Sequence, residues 1–353
     1  MNSTQRLPPS LTPLDTALAA LLSDVKPAPA RERAGGASQA AVELPDLKSW
    51  PLHDIAASDG WALRASDLVG ASSYTPVPLA KPPVWLEAGD RIPDGCDCVL
   101  DEDSVDPTGP IAQVLSEAIP GQGIRRKGGA IADLSRIADA WRPGDLSAHQ
   151  PRVHLVNIPG GNITARLIAN GLGEAGVDLV SAESESRDAS SVGQRLDVRN
   201  CDLLIVVGGS GVGRTDASVI ALAERGEVIA HGLALQPGRT AAVGKIAQTP
   251  VVMVSGAPDQ ALGVWWSIVL PVLDRLANRQ RGTQTLPLAR KIASSVGLAE
   301  IVLLERRGGT WMPLAVGDLP FETIARADAW LLVPGGSEGY AAGTPADAYL
   351  LRE

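Results

Sequence analysis

Residues 202–213, Asp-Leu-Leu-Ile-Val-Val-Gly-Gly-Ser-Gly-Val-Gly, join an apolar strand-like run to a glycine turn. The helix-like run 217–222, Ala-Ser-Val-Ile-Ala-Leu, follows directly. Glycines let backbone N–H groups come close to an anion, and a helix N-terminus adds partial positive charge. The pattern therefore predicts a site for a phosphate or another oxyanion, such as the phosphate of a nucleotide or a pterin. A turn made only for tight packing in an α/β domain would show the same pattern.

Strands and helices alternate around this turn, from residue 152 to about residue 281. Apolar strand-like runs cover 153–158, 177–180, 202–207 and 251–254, and helix-like runs cover 163–175, 217–222 and 261–273. Such alternation predicts a mostly parallel sheet covered by helices, with a ligand crevice at the carboxyl ends of its strands. The run 261–273 is interrupted by Pro271 and is too short to cross a bilayer, so we expect a buried helix.

Length and charge limit the class of protein. A chain of 353 residues exceeds what one hydrophobic core usually serves, so roughly two to four domains are expected. The net charge of −9 and the pI near 5.1 argue against nucleic acid or an anionic membrane as the main partner. The first residues lack an apolar core of signal-peptide length, which predicts a cytoplasmic protein. An anionic ligand would need a local basic pocket.

Cysteine and histidine give no sign of a metal centre. The three cysteines, Cys96, Cys98 and Cys201, provide neither a disulfide framework nor a zinc ligand set. The four histidines are scattered singly along the chain. Cys96 and Cys98 are interpreted as turn and strand positions.

The remaining segments suggest further domains. A helix is predicted over 14–25 because its leucines and alanines have helical spacing and Pro27 follows. Between 51 and 123, short apolar runs such as 84–86 and 98–100 alternate with proline and glycine turns, which predicts an inserted β-rich domain. Short strand-like runs after residue 286, including 301–304 and 329–333, predict a small β domain.

Seven motifs in one order give the chain a family resemblance. The first, Ser58-Asp59-Gly60-Trp61-Ala62-Leu63, resembles the Met-Asp-Gly-Tyr-Ala-Val signature of molybdopterin molybdenumtransferases, a family that includes the C-terminal part of gephyrin. The others are residues 90–99, Ile124-Arg125-Arg126-Lys127-Gly128, the glycine turn with Asp216, Pro237-Gly238-Arg239, Gly256-Ala257-Pro258 and the turn 335–339. Their collinear order covers nearly the whole chain.

The resemblance implies a multidomain α/β subunit. Its parts would be an elongated N-terminal domain (1–50 with 124–151), an inserted β-rich domain (51–123), a three-layer α/β molybdopterin-binding domain (152–285) and a β-barrel-like C-terminal domain (286–353). The family reaction inserts molybdate into adenylylated molybdopterin and releases AMP with Mg²⁺ present. Family members are homodimers with a shared site, and other proteins of the molybdenum cofactor pathway are further partners. Apolar residues around Trp50 and Trp61 look exposed, which also favours a homodimer.

The resemblance assigns site residues by motif. Asp59 and Asp216 would be catalytic and would bind the metal, although Asp59 also suits a turn and Asp216 could cap the helix that starts at Ala217. Arg125 and Arg126 suit a pyrophosphate or molybdate, although such basic runs are usually solvated. The pterin-binding residues would be Gly208, Gly209, Ser210, Gly211, Gly213, Pro237, Gly238, Arg239, Gly256, Pro258, Arg125 and Arg126.

Departures from the family pattern leave two hypotheses. The family's Thr-Gly-Asp-Glu-Leu segment is replaced by Pro159-Gly160-Gly161, and a second acidic position is lost within residues 128–131. Either the chain is an enzyme in which groups such as Glu87 or Asp90 replace the lost carboxylates, or it is a binding protein that carries or senses molybdopterin or the finished cofactor. A nicotinamide dehydrogenase is disfavoured because the turn lacks the Gly-x-Gly-x-x-Gly spacing.

Overall fold

A computed structural model describes residues 5–29, 50–128, 134–198 and 200–352. These residues form two compact units: residues 50–128 form one, and the remaining described residues form the other. Within the described ranges, every helix is too short or too polar to span a lipid bilayer. Part of the predicted N-terminal domain, residues 30–49, and residues 129–131 of the altered acidic motif lie outside the described residues.

The larger unit begins with a strand and a helix. Strand β1 (Thr12–Pro13) leads directly into helix α1 (Leu14–Leu22). Leu14, Ala17 and Leu21 are buried at the spacing of one helix face. The helix is shorter than the predicted 14–25, because Val25 closes a turn onto the carbonyl of Leu22 instead.

The unit of residues 50–128 is built from short antiparallel strands. Two three-stranded sheets, β5–β3–β6 and β4–β8–β7, pack around a common core. Strands β5 and β6 match the predicted runs. The elements are β2 (Ile55–Ala56), β3 (Gly60–Leu63), a 3₁₀ helix (Ala65–Leu68), β4 (Val77–Pro78), β5 (Val84–Leu86), β6 (Cys98–Leu100), a second 3₁₀ helix (Glu102–Ser104), β7 (Val105–Asp106), β8 (Gln113–Val114) and β9 (Ile124–Arg125).

The expectation that Trp61 is exposed is wrong. Its strand, β3, lies in the middle of a sheet, so one face of the strand must pack on the core. Trp61 is only 9% exposed and meets Trp85 edge to face, with 5.1 Å between ring centroids. Trp61 is therefore buried within its own unit and gives no support for a subunit interface.

A six-stranded sheet organises the middle of the chain. Its order is β11–β10–β12–β16–β15–β13; the first four strands pair in parallel, and β15 pairs antiparallel with both β16 and β13, which confirms the predicted mostly parallel sheet. The elements are α2 (Leu134–Asp139), β10 (Arg152–Asn157), α3 (Asn162–Glu174), β11 (Asp178–Glu183), α4 (Ala189–Leu196), β12 (Leu203–Val207), α5 (Ser218–Ala223), β13 (Glu227–His231), β14 (Leu233–Gln236), β15 (Ala242–Ile246), β16 (Thr249–Val254), α6 (Pro258–Val264) and α7 (Leu270–Leu276).

The predicted buried helix is longer than its apolar run. Helix α6, a π-helical turn (Trp265–Val269) and α7 follow without a break, and Pro271 lies inside the helical stretch rather than ending it. Proline cannot donate a backbone hydrogen bond and crowds the preceding turn. The π-helical turn directly before it changes the hydrogen-bond spacing there and lets the helix continue.

The C-terminal residues complete a second, mixed sheet of order β1–β14–β19–β21–β23–β17, with β20 paired to β19. Strands β1 and β14 come from much earlier in the chain. Its core contains Trp311 and Val302, and Trp330 stacks between Trp266 and Tyr349. The elements are β17 (Gln284–Pro287), β18 (Ile292–Ala293), β19 (Ala299–Arg307), β20 (Thr310–Val316), α8 (Phe321–Arg326), β21 (Ala329–Val333), β22 (Gly339–Tyr340) and β23 (Pro345–Leu350).

Candidate functional site

The parallel sheet has a topological switch point between β10 and β12. From β10 the chain moves outward to β11 and then returns to the other side of β10 at β12. Connections that diverge in this way leave a crevice at the carboxyl ends of the two strands, where α/β proteins bind ligands. Two turns border this crevice: residues 158–161 after β10 and the glycine turn, residues 208–213, after β12. The predicted glycine turn therefore lies at the ligand-binding edge of the sheet.

The glycine turn closes tightly onto the start of α5. Gly208 and Gly209 both have positive φ, at 94° and 69°. Ser218 donates from its hydroxyl to the carbonyl of Gly208 at 3.0 Å and from its backbone N–H to the carbonyl of Gly209 at 3.0 Å. A Cβ on Gly209 would lie 2.3 Å from the Ser218 hydroxyl oxygen. Glycine is thus required at 209 by both backbone conformation and space.

Gln5 holds the same turn from a distant part of the chain. Its buried side-chain amide donates to the carbonyls of Gly209 at 3.1 Å and Gly211 at 2.6 Å, and its oxygen accepts from the N–H of Val219 at 3.0 Å. One side chain therefore satisfies two turn carbonyls and an N–H of the first turn of α5. Sequence reasoning missed Gln5.

The turn after β10 is short and rich in glycine. Gly161 is the N-cap of α3, which starts at the next residue. A Cβ on Gly161 would lie 2.8 Å from the side-chain oxygen of Asn157. Thr164, in the first turn of α3, donates from its hydroxyl to the carbonyl of Gly256 at 2.7 Å. This hydrogen bond joins the segments that follow β10 and β16. Residues 158–161 contain no acidic side chain.

Asp216 is paired with Arg187, a residue that the sequence did not single out. Arg187 follows β11 and forms an ion pair with one carboxylate oxygen of Asp216; its other terminal nitrogen donates to the carbonyl of Pro159 at 2.7 Å. The second carboxylate oxygen of Asp216 accepts from the N–H of Gly213 at 3.2 Å. Asp216 does not cap α5, whose N-cap is Ala217 without a side-chain cap. Arg187 thus connects the turns after β10 and β12.

Three buried polar atoms in this region have no hydrogen-bond partner among the described residues. They are the hydroxyl oxygen of Ser210, the side-chain oxygen of Asn157 and the Nε of Arg187. Buried polar groups are nearly always satisfied, so unsatisfied ones need an explanation. Asn157 ends β10, Ser210 lies in the turn after β12, and Arg187 bridges the two turns. The unsatisfied atoms therefore all lie on the elements that border the crevice, which favours a polar ligand there.

His231 supports the glycine turn from strand β13. Its Nε2 lies 3.0 Å from the carbonyl oxygen of Ser210, so this nitrogen carries the proton and donates. Burial lowers the pKa of His231, and the hydrogen bond to Ser210 opposes that shift in part. The imidazole is therefore neutral near pH 7 and adds no cationic charge to the turn.

Asp216, the predicted metal ligand of this unit, does not have the surroundings of a magnesium site. Mg²⁺ requires oxygen ligands, with one or two carboxylates beside the substrate phosphates. Both oxygens of Asp216 already accept protein hydrogen bonds, from Arg187 and Gly213. Over the described part of the chain, no three His, Cys, Asp or Glu side chains come close enough together to hold a metal ion. The roles of Asp59 and Asp216 as metal ligands stay predictions.

The other predicted residues of this unit surround the first turn of α6. Pro258 begins α6 two residues after Gly256, and a Cβ on Gly256 would touch the backbone of residues 160 and 161 at 3.4 Å. Gly238 donates from its N–H to the side chain of Gln260 at 3.3 Å, while Arg239 is exposed. Through α6, the turn at Pro237 and Gly238 is linked to the edge of the crevice.

Asp59, Arg125 and Arg126 belong to the unit of residues 50–128 and have local partners there. Asp59 is half-buried between β2 and β3 and accepts from the N–H of Ala88 at 2.8 Å. Arg125 lies over the ring of Trp50, 5.3 Å from its centroid. Arg126 pairs with Asp54 at 3.1 Å and has a side chain that is 63% exposed. Their roles toward a ligand stay predictions.

Comparisons with known proteins agree with this arrangement. A family model described as "Probable molybdopterin binding domain" matches residues 158–275, and one described as "MoeA N-terminal region (domain I and II)" matches residues 12–142. The chain belongs to the molybdopterin molybdenumtransferase family.

Members of the family match most of the chain at low identity. A molybdopterin molybdenumtransferase 2 of Mycobacterium tuberculosis is 26% identical over 362 residues, covering 84% of this chain and 88% of the relative. A molybdopterin molybdenumtransferase of Synechococcus elongatus is 25% identical, covering 86% and 88%. The crystal structure of a molybdopterin biosynthesis MoeA protein from Pyrococcus horikoshii has a TM-score of 0.51 at 20% identity and covers 97% of this chain and all of that one, which shows a common fold.

Proposed function

We propose that this protein acts in molybdenum cofactor biosynthesis: it binds adenylylated molybdopterin in the crevice between β10 and β12, inserts molybdate and releases AMP. The observation that carries the proposal is the glycine turn at the switch point, where the buried Ser210 hydroxyl has no partner among the described residues. The family to which the chain belongs supplies the ligand and the reaction.

The crevice suits the anionic part of such a ligand. The guanidinium of Arg187 lies between the two turns, and a planar guanidinium binds phosphate oxygens with directed hydrogen bonds. Ser210 and Asn157 add a buried hydroxyl and a buried amide. Because these groups are held by packing and hydrogen bonds before the ligand arrives, little ordering is needed on binding.

The cysteines are not needed for the metal. The dithiolene of molybdopterin provides two sulfur ligands for the molybdenum of molybdate, which is a substrate here. Burial raises the pKa of Cys96, of Cys201 and, to about 11, of Cys98, so all three stay as thiols near pH 7. Thiols bind metals poorly, because the thiolate is the ligand.

One observation favours a second candidate function, a binding protein that carries or senses molybdopterin. Asp216 is already engaged by Arg187 and Gly213, and the turn at residues 158–161 has no acidic side chain. Such a site keeps groups that bind an anion but has fewer fixed charges that could favour a transition state over bound substrate.

AMP release tests the proposal. Purified protein is incubated with adenylylated molybdopterin and molybdate, and AMP is measured for wild type, Asp59→Asn, Asp216→Asn and the control Asp103→Asn. Asp103 is exposed in the same unit as Asp59. We expect turnover in wild type and the control, and lower turnover in the other two variants. Binding without AMP release would support the carrier, and brisk turnover unaffected by either substitution would contradict the assigned residues.

Homodimerisation is part of the same proposal and rests on the family resemblance. Sedimentation velocity at micromolar concentration should show a dimer, in which two copies of the chain share equivalent sites. Sedimentation as a monomer only would contradict it. Proteins of the molybdenum cofactor pathway would be further partners, because they supply the pterin and accept the finished cofactor.

A further inference from the structure

We propose that Arg187 supplies, in this crevice, the positive charge that a divalent cation would otherwise supply, so that the protein binds molybdopterin without magnesium. This inference rests on the proposed function, because it concerns the same ligand and the same site.

Arg187 lies between the two turns that border the crevice. It joins the turn after β10, through the carbonyl of Pro159 at 2.7 Å, to the turn after β12, through Asp216. Pro159 stands where the family motif has an acidic segment. The guanidinium therefore lies beside the place where a metal-binding carboxylate is missing.

The charge of Asp216 is already balanced within the protein. Mg²⁺ is usually held by one or two carboxylates together with substrate phosphates, whose negative charges balance its own. Here Asp216, whose side chain is only 6% exposed, is balanced by Arg187 before any ligand enters. A magnesium ion at Asp216 would have to displace the guanidinium from a nearly buried carboxylate and leave Arg187 beside a second positive charge.

Arg187 has donors left for a ligand. A guanidinium has five N–H donors. Two are used, by the carbonyl of Pro159 and by Asp216, and the buried Nε has no partner among the described residues. Since the side chain is 32% exposed overall, Arg187 is accessible to a ligand as well as anchored. A phosphate oxygen would accept from one of the three remaining donors.

The variant Asp216→Asn distinguishes a magnesium ligand from a residue that only balances the charge of Arg187. If Asp216 held magnesium, asparagine would weaken binding in the presence of the metal. If Asp216 only balances and orients Arg187, asparagine leaves a guanidinium with more uncompensated charge, and an anionic ligand is bound as tightly or more tightly.

The experiment is a titration of molybdopterin into the full chain, followed by tryptophan fluorescence, once with EDTA and once with excess Mg²⁺. The proteins are wild type, Arg187→Ala, Arg187→Lys, Asp216→Asn and the control Arg195→Ala. Arg195 lies on α4 and pairs with the exposed Glu185. Circular dichroism confirms that each variant is folded.

We expect equal wild-type affinity, within about twofold, in EDTA and Mg²⁺. Arg187→Ala should lose about 10- to 100-fold in affinity, as expected for a charge-assisted hydrogen bond. Arg187→Lys should be intermediate, Asp216→Asn no weaker than wild type, and Arg195→Ala unchanged. If Arg187→Ala fails to fold, Arg187→Lys and Asp216→Asn decide.

Two results would overturn the inference in different ways. Wild-type binding that requires Mg²⁺ and is lost in Asp216→Asn would show a magnesium site and leave the proposed function intact. No wild-type binding under either condition would refute the proposed function, and the inference with it.

Discussion

Arg187 and Asp216, 29 residues apart in the chain, form an ion pair that fixes the loop after β11 against the turn after β12. Because Arg187 also bonds to the carbonyl of Pro159, one side chain connects the loops that follow three neighbouring strands, β11, β10 and β12. The crevice is therefore held in shape by a charged side chain whose partners all lie on its rim.

Gly209→Ala should destabilise the protein. Alanine at a φ of 69° costs about 1–3 kcal/mol, and its Cβ would also meet the Ser218 hydroxyl at 2.3 Å. The free energy of unfolding in urea checks this. The control, Gly173→Ala, lies on the exposed side of α3 with open space around its Cβ, and should stabilise by about 0.5–1 kcal/mol. Equal effects of the two substitutions would refute the description of the turn.

Gln5→Ala should lower the free energy of unfolding by about 1–3 kcal/mol, because it leaves buried backbone groups of Gly209, Gly211 and Val219 without their partner. Urea denaturation gives the value. Gln194→Ala, on the exposed face of α4, should change stability by less than about 0.5 kcal/mol. A Gln5→Ala protein as stable as wild type would show that Gln5 does not hold the turn in solution.

Stability should fall as the pH drops below about 7. Burial lowers the pKa of both His154 and His231 in the folded protein. The unfolded chain, with a histidine pKa of about 6.5, therefore binds protons that the folded protein does not, and this favours unfolding below that pH. The stability is fully present above the unfolded pKa and is lost progressively as the pH falls toward the folded values.

Urea denaturation at several pH values between 5 and 8 measures this dependence. His231→Gln removes one of the two groups, so its stability should change less steeply with pH than that of wild type. A flat profile for wild type over this range would contradict the assignment of two buried neutral imidazoles.

Local sequence patterns were enough to predict the parallel sheet and its ligand edge. Strand β12 and the glycine turn adjoin each other in the chain, and the apolar runs at β5 and β21 match the strands to the residue. Strands β13–β15 were not predicted, because glycines and polar residues such as Gly244, His231 and Gln236 interrupt their apolar pattern.

The partners of the turn could not be predicted in the same way. Gln5 is 204 residues from Gly209, and nothing in its local sequence indicates burial. Arg187 stands in a polar segment typical of a solvated loop. Its position after a parallel strand was the one available signal, because such loops gather at the ligand edge of the sheet.

The measurement that tests the central claim most directly is the molybdopterin affinity of Gly211→Val beside wild type. Gly211 is not one of the glycines with positive φ, so valine brings no left-handed backbone strain there and should fill the approach to the turn without unfolding it. The control, Gly336→Val, lies in an exposed turn with open space around its Cβ. We predict that Gly211→Val loses at least about tenfold in affinity, or about 1.4 kcal/mol, while the control binds like wild type. Unchanged affinity in a folded Gly211→Val protein would show that the glycine turn does not bind the pterin.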